Sequence, residues 1–154
     1  MIKPLTEITI HQFRGIRNLE LTDLGSVNIL VGANNSGKTS ILEALATYAR
    51  PLDLYEWTNT AWRREVKASR RSTVEALRWL FPQSRSAEAE HYVGETHVSS
   101  QGKYSVIDVR AHFEEIFRLP GGKNHSASEV AEMSDEEAES GAKLTIHLQK
   151  HGLK

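Results

Sequence analysis

Cysteine is absent from this 154-residue chain, which excludes disulfides and thiolate metal sites from the outset. That absence fits a reducing compartment. Long apolar runs are missing too. Thr6 to Arg14 alternates polar and apolar residues instead of forming a signal-peptide core, and nothing approaches the roughly 20 residues needed to cross a bilayer. Nor is there an excess of one charge: 19 basic and 20 acidic residues leave a net charge of −1, so any nucleic-acid surface must be local. The seven histidines are scattered, with no pair at i, i+4 on one predicted helix, the spacing of a helical metal site. What remains is ordinary: 39% hydrophobic and 25% charged residues in a length sufficient for one domain with a real core. These features lead us to expect a cytoplasmic protein with no membrane contact.

What is present is concentrated in one stretch. Val27 to Val31 reads as an apolar strand, Gly32 to Gly37 as a small-residue loop, and Lys38 onward as an amphipathic helix whose buried face is Ile41, Leu42 and Leu45. Gly32 to Thr39 fits G-x-x-x-x-G-K-[ST], the Walker A pattern of nucleotide-binding loops. The residue types suit that task. Gly32 and Gly37 let main chain approach phosphate oxygens where a side chain would clash. The loop opens a helix, whose unpaired N–H groups and positive dipole end attract an anion. Lys38 can reach the β- and γ-phosphates as a mobile point charge, and the Thr39 hydroxyl can coordinate Mg²⁺. The expected contacts are Gly32, Ala33, Asn34, Asn35, Ser36, Gly37, Lys38, Thr39 and Ser40. A glycine-rich turn without a ligand is the bland alternative.

Around this stretch the chain reads as short elements. Glu7 to Arg14 alternates as a strand, and Leu19-Glu20-Leu21 as a returning one. Val27 to Val31 is apolar on both faces, which predicts a central strand covered on two sides. Arg50-Pro51 stops the loop-borne helix. A helix is predicted from Trp57 to Ala68, near a basic run of Arg63, Arg64, Lys67, Arg70 and Arg71. That run suits a solvated face better than a sequence-blind contact with DNA phosphates. Trp57 and Trp62 suit core packing better than base stacking. Ser72-Thr73-Val74-Glu75 is a capping box opening a helix that Pro82 ends. Tyr92 to Ser99 and Tyr104 to Phe113 form an expected antiparallel hairpin, with Ile107, Val109, Ala111 and Phe113 on one face and Asp108, Arg110 and His112 on the other. Ser126 or Ser128 caps an acidic helix, and Lys143 to Gln149 alternates as a last strand burying Leu144, Ile146 and Leu148.

Two of these stretches carry a family resemblance. The run from Ile8 to Leu21, with its Phe13-Arg14-Gly15 strand end, and the run from Ile29 to Leu45, with its Asn34-Asn35-Ser36-Gly37-Lys38-Thr39 loop, closely resemble the N-terminus of ABC-type ATPases. The relevant branch holds the SMC proteins, RecF, the double-strand-break repair ATPases and the OLD-family ATPase-nucleases of phage defence. The resemblance is specific over roughly the first third of the chain and only architectural beyond Tyr48. It implies an α/β P-loop NTPase lobe in which a mixed parallel core joins an antiparallel sheet. It implies ATP and Mg²⁺ as ligands, with Arg14 near the phosphates and Asn34 and Asn35 either lining the cradle or stabilising the turn. It also implies association through ATPase heads into a homodimer or higher oligomer, with DNA or a partner nuclease as the output.

The pattern is incomplete, however. There is no Leu-Ser-Gly-Gly-like signature and no placeable catalytic Glu or switch His. Tyr104 to Asp108 is rejected as a Walker B strand because it alternates, and because Val109 stands where ABC-type enzymes carry their Glu. Residues 1–154 are therefore expected to be one P-loop domain forming the N-terminal lobe of a larger head, unable to hydrolyse ATP rapidly alone. A self-contained GTPase or nucleoside kinase is the alternative. The length allows it, but neither a D-x-x-G switch nor an N-K-x-D guanine motif is present.

Overall fold

The structure is a computed structural model that describes residues 5–63, 72–82, 91–102, 106–118, 124–125 and 139–150. Its elements are β1 (Leu5–Phe13), β2 (Ile16–Leu21), α1 (Lys38–Ala49), α2 (Leu54–Trp62), α3 (Thr73–Arg78), β3 (Val93–Gly102), β4 (Val106–Arg118), β5 (Asn124–His125) and β6 (Glu139–Lys150). The strands run in the order β2-β1-β3-β4, with β6 along β4 and β5 paired to the end of β4. Among the described residues every pairing is antiparallel.

Alternation makes this sheet one-sided. Ile8 and Ile10 of β1, Thr96 and Val98 of β3, and Val109, Ala111 and Phe113 of β4 are buried, and Leu144, Ile146 and Leu148 of β6 pack beside them. The three helices and the turn after α3 supply the facing layer with Ile41, Ala44, Tyr48, Trp57, Ala61, Ala76, Leu77, Leu80 and Phe81. An aromatic column joins the layers: Trp57 stacks on Phe81 at 5.5 Å, and Phe81 on Phe113 at 5.3 Å. Gly94 sits where β3 passes closest to the helical layer. A Cβ there would lie 2.7 Å from the Phe81 carbonyl oxygen, so only glycine allows the approach.

Several sequence expectations need correction. Val27 to Val31 belongs to no strand, and Val27, Ile29 and Val31 are 83–88% exposed. A strand apolar on both faces needs hydrogen-bonding neighbours and a layer on each side. Among the described residues no strand pairs with this segment, and only Leu30 packs against the core. The expected mixed parallel core is therefore not formed by the described residues. In α1 the buried face is Ser40, Ile41, Glu43, Ala44, Thr47 and Tyr48, while Leu42 is 56% exposed. The helix docks rotated from the expected Ile41-Leu42-Leu45 face because Glu43 is drawn inward by Arg14. In β4 a register irregularity between Val106 and Asp108 turns Val106, not Ile107, into the core.

The second helix begins at Leu54, three residues before the expected start, because the Asp53 side chain accepts a hydrogen bond from the Tyr55 N–H and caps it. Trp57 is a core residue whose indole N–H donates to the Pro51 carbonyl. The capping box at Ser72 and Glu75 forms as expected. Arg64, Lys67, Arg70 and Arg71, Tyr104, and the expected acidic helix from Ser126 lie outside the described residues.

Candidate functional site

Two chain reversals meet at the same end of the sheet. One is the tight turn from β1 to β2, where Arg14 takes a left-handed backbone (φ 49°). The other is the loop from Gly32 to Gly37, which delivers the chain into α1. Gly37 is the N-cap of that helix at φ 88°, a conformation that strains any residue with a Cβ, and nothing lies within 4 Å of where one would project. Asn35 also takes a left-handed backbone (φ 64°), and the Ser36 N–H closes a turn onto the Ala33 carbonyl. At Gly32 an added Cβ would lie 2.9 Å from the Ser36 hydroxyl. No side chain caps the N-terminus of α1, and its first turn carries no acid.

The Lys38 ammonium lies within this curl. It donates to the carbonyls of Gly32 (2.7 Å) and Ala33 (2.6 Å) and contacts the Ser36 hydroxyl at 3.3 Å, which accounts for its three N–H bonds. The loop is thus tied to the lysine at its own exit. Thr39 is exposed on the first turn and Ser40 is buried beneath it.

Arg14 and the loop are linked through α1. The Arg14 Nε lies 2.8 Å from a Glu43 carboxylate oxygen, and a terminal N–H donates to the Thr60 carbonyl. Glu43 is fully buried, and the Arg14 side chain is 11% exposed. This charge-assisted pair pins the end of β1 to the middle of the loop-borne helix. The Arg14 guanidinium is therefore held by the protein while lining the cleft below.

Arg14, Asn35, Ser36, Gly37 and Ser40 come together on the wall of one open cleft of about 1090 Å³. Gly32, Ala33 and Asn34 of the loop and Lys38 and Thr39 of the first turn of α1 do not line that cleft. The same cleft is also lined by residues that the sequence did not single out for binding: Arg17, Glu75, Arg78, Trp79 and Tyr92. Arg78 lies 4.2 Å above the Tyr92 ring and 3.6 Å from Glu115. Burial pushes the Tyr92 phenol above its ordinary pKa, against the pull of Arg78. Trp79 falls just after α3 and is 63% exposed, between buried Leu77 and Leu80.

The remaining candidates do not join the cleft. Asp108 faces away from the helices, 2.7 Å from the His97 ring nitrogen and 3.3 Å from Arg110, on an antiparallel strand. Arg63 pairs with Glu56 of its own helix at 3.4 Å. Among the described residues no cluster of three or more His, Asp or Glu could hold a metal ion. None of the helices in those residues is long and apolar enough to cross a membrane.

Residues 4–108 match the AAA ATPase domain model, which includes both the loop and Arg14. The chain belongs to the AAA ATPase domain family. Its relatives include RecF. Over 43 residues it is 54% identical to the DNA replication and repair protein RecF of Citrobacter koseri, covering 28% of this chain and 12% of that one. RecF of Cronobacter sakazakii matches to the same extent. Over 41 residues the chain is 58% identical to the uncharacterized protein MJECL10 of Methanocaldococcus jannaschii, covering 27% of this chain and 19% of that protein. The chain therefore spans under a fifth of the length of these curated relatives. No solved structure matches it. The resemblance to the SMC and RecF branch of ATPases is thus met by independent comparison.

Proposed function

We propose that this chain binds ATP with Mg²⁺ at the loop from Gly32 to Ser40, as the P-loop domain of an ATPase that acts in DNA transactions or phage defence. The observation that carries this reading is the loop itself. Six residues of open main chain with glycine at both ends curl around one ammonium at the N-terminus of a 12-residue helix that no side chain caps. The Ala33 and Asn34 backbone and the amides leading into α1 supply donors, and Ser36 and Ser40 supply hydroxyls. Asn35 and Arg14 stand on the cleft side. Lys38 holds two carbonyls that phosphate oxygens would replace, so binding exchanges neutral acceptors for charged ones. Thr39, exposed on the first turn, is the residue to hold Mg²⁺, which would neutralise phosphate charge. Among the described residues the contacts recorded for Lys38 in the loop include no carboxylate, so hydrolysis is proposed to need a further residue, such as one supplied by a second head. ATP acts here as the ligand that joins two heads, and DNA or a partner nuclease receives the output.

Titration calorimetry with ATP and Mg²⁺ tests this. Lys38→Ala removes a charge-assisted contact contributing about 1.5–3 kcal/mol, so affinity should fall by roughly tenfold or more. Equal affinity in the variant, or no heat from the wild type, would refute the assignment. GTP competing better than ATP would favour the GTPase alternative instead.

A further inference from the structure

We propose that residues 27–31 are an open β-edge through which two copies of this chain pair, antiparallel and about a two-fold axis at Ile29. The pairing is independent of the ATP reading above, and nucleotide plays no part in it.

The first argument is an unused strand on a fixed support. Among the described residues no main-chain N–H or carbonyl of residues 27–31 makes a hydrogen bond, in a ladder or elsewhere. The segment is nonetheless held near both ends. The Asn28 side-chain amide bonds the N–H and the carbonyl of Gly25 at 3.0 Å, and the Ser36 N–H closes the following turn onto the Ala33 carbonyl. Leu30 packs against the core, while Val27, Ile29 and Val31, spaced two apart, are 83–88% exposed. None of the five has a left-handed backbone, and the three exposed ones are β-branched, which suits a strand. A segment fixed in this way loses little conformational freedom when a strand settles beside it.

The second argument is the fit of a second copy. Open edges are ordinarily guarded by charged side chains or proline. From Leu24 to Gly37 this chain has neither, so two copies meet there without like-charge repulsion. Antiparallel pairing centred on Ile29 sets Val27 opposite Val31, Ile29 opposite its own copy and Asn28 opposite Leu30, so one face of the ribbon is apolar throughout. The contact is isologous, using the same edge of each copy, and closes at a dimer. A helix laid on the segment would cover the side chains and leave the main-chain groups to water, whereas an added strand satisfies both. One five-residue strand is far smaller than the roughly 800 Å² per partner of a stable interface, so the pair is weak and concentration-dependent.

Sedimentation velocity without nucleotide, from about 5 to about 500 µM protein, tests this. The coefficient of the wild type should rise with concentration toward that of a dimer. Over the same range, hydrogen exchange of the paired amides in residues 27–31 should slow by about threefold or more. Ile29→Lys sets two ammonium groups opposite each other across the axis and should remove the rise. Residue 29 is 83% exposed, so melting curves should show that this variant keeps the fold. Lys38→Ala leaves the segment intact and should associate like the wild type. A constant coefficient, a rise that Ile29→Lys does not remove, or growth past a dimer overturns the pairing. Exchange at residues 27–31 that is equally slow at every concentration would place the cover within the chain itself and overturn it too.

Discussion

A histidine illustrates how far a single residue's chemistry depends on its neighbours. His11 lies on the face of the sheet turned away from the helices, stacked on His97 at 4.0 Å, with its Nε2 2.8 Å from the Ser99 hydroxyl. Its pKa is held below the ordinary 6.5, first by burial and then by His97. Arg110 acts in the same direction, while Asp108 and Glu20 oppose it. Folding therefore favours the neutral ring. A group whose folded pKa is depressed contributes its stability above the unfolded pKa and loses it as pH falls through the folded value. Thermal melts from pH 7.5 to 5.0 should thus show wild type losing more stability on acidification than His11→Gln. If the variant loses as much or more, the pull of Asp108 dominates and the assignment is wrong.

Between elements, the decisive contact is the ion pair that ties the end of β1 to α1. With Glu43 fully buried and Arg14 nearly so, the two charges depend on each other, and removing one strands the other in a medium of low dielectric. Glu43→Ala should lower the unfolding free energy in urea by about 3 kcal/mol or more, the usual cost of breaking a buried pair. The double variant with Arg14→Ala should lose less than the sum of the two single losses. A loss under about 1 kcal/mol for Glu43→Ala would mean that the pair is not structural. The same contact sets the rotation of α1, which exposes Leu42 and directs Ser40 toward the cleft. Periodicity alone favoured a different face, because an acidic residue counts as polar until a buried cation is placed opposite it.

For the whole molecule, the proposed role is association driven by ligand. A non-hydrolysable ATP analogue with Mg²⁺ should raise the sedimentation coefficient of the chain toward that of a dimer, and Lys38→Ala should abolish the shift. An unchanged coefficient at saturating analogue would separate binding from association. A ligand that binds only the dimer stabilises it by mass action, so the shift should grow with analogue concentration.

The sequence by itself determined the pieces whose physics is local. The loop from Gly32 to Thr39, the capping box at Ser72, and the alternating strands that became β1, β3, β4 and β6 each depend on neighbours a few residues away. Tertiary structure alone decided what depends on distant partners. Glu43 became a core residue only because Arg14 arrives from β1. Trp79 became part of the cleft lining only because hydrogen bonds from the Arg14 and Glu95 amides and the Tyr92 hydroxyl fix the segment after it. Val27 to Val31 has the composition of a buried strand, but composition supplies no partner. Among the described residues no ladder takes it in, so Val27, Ile29 and Val31 remain in solvent and only Leu30 reaches the core.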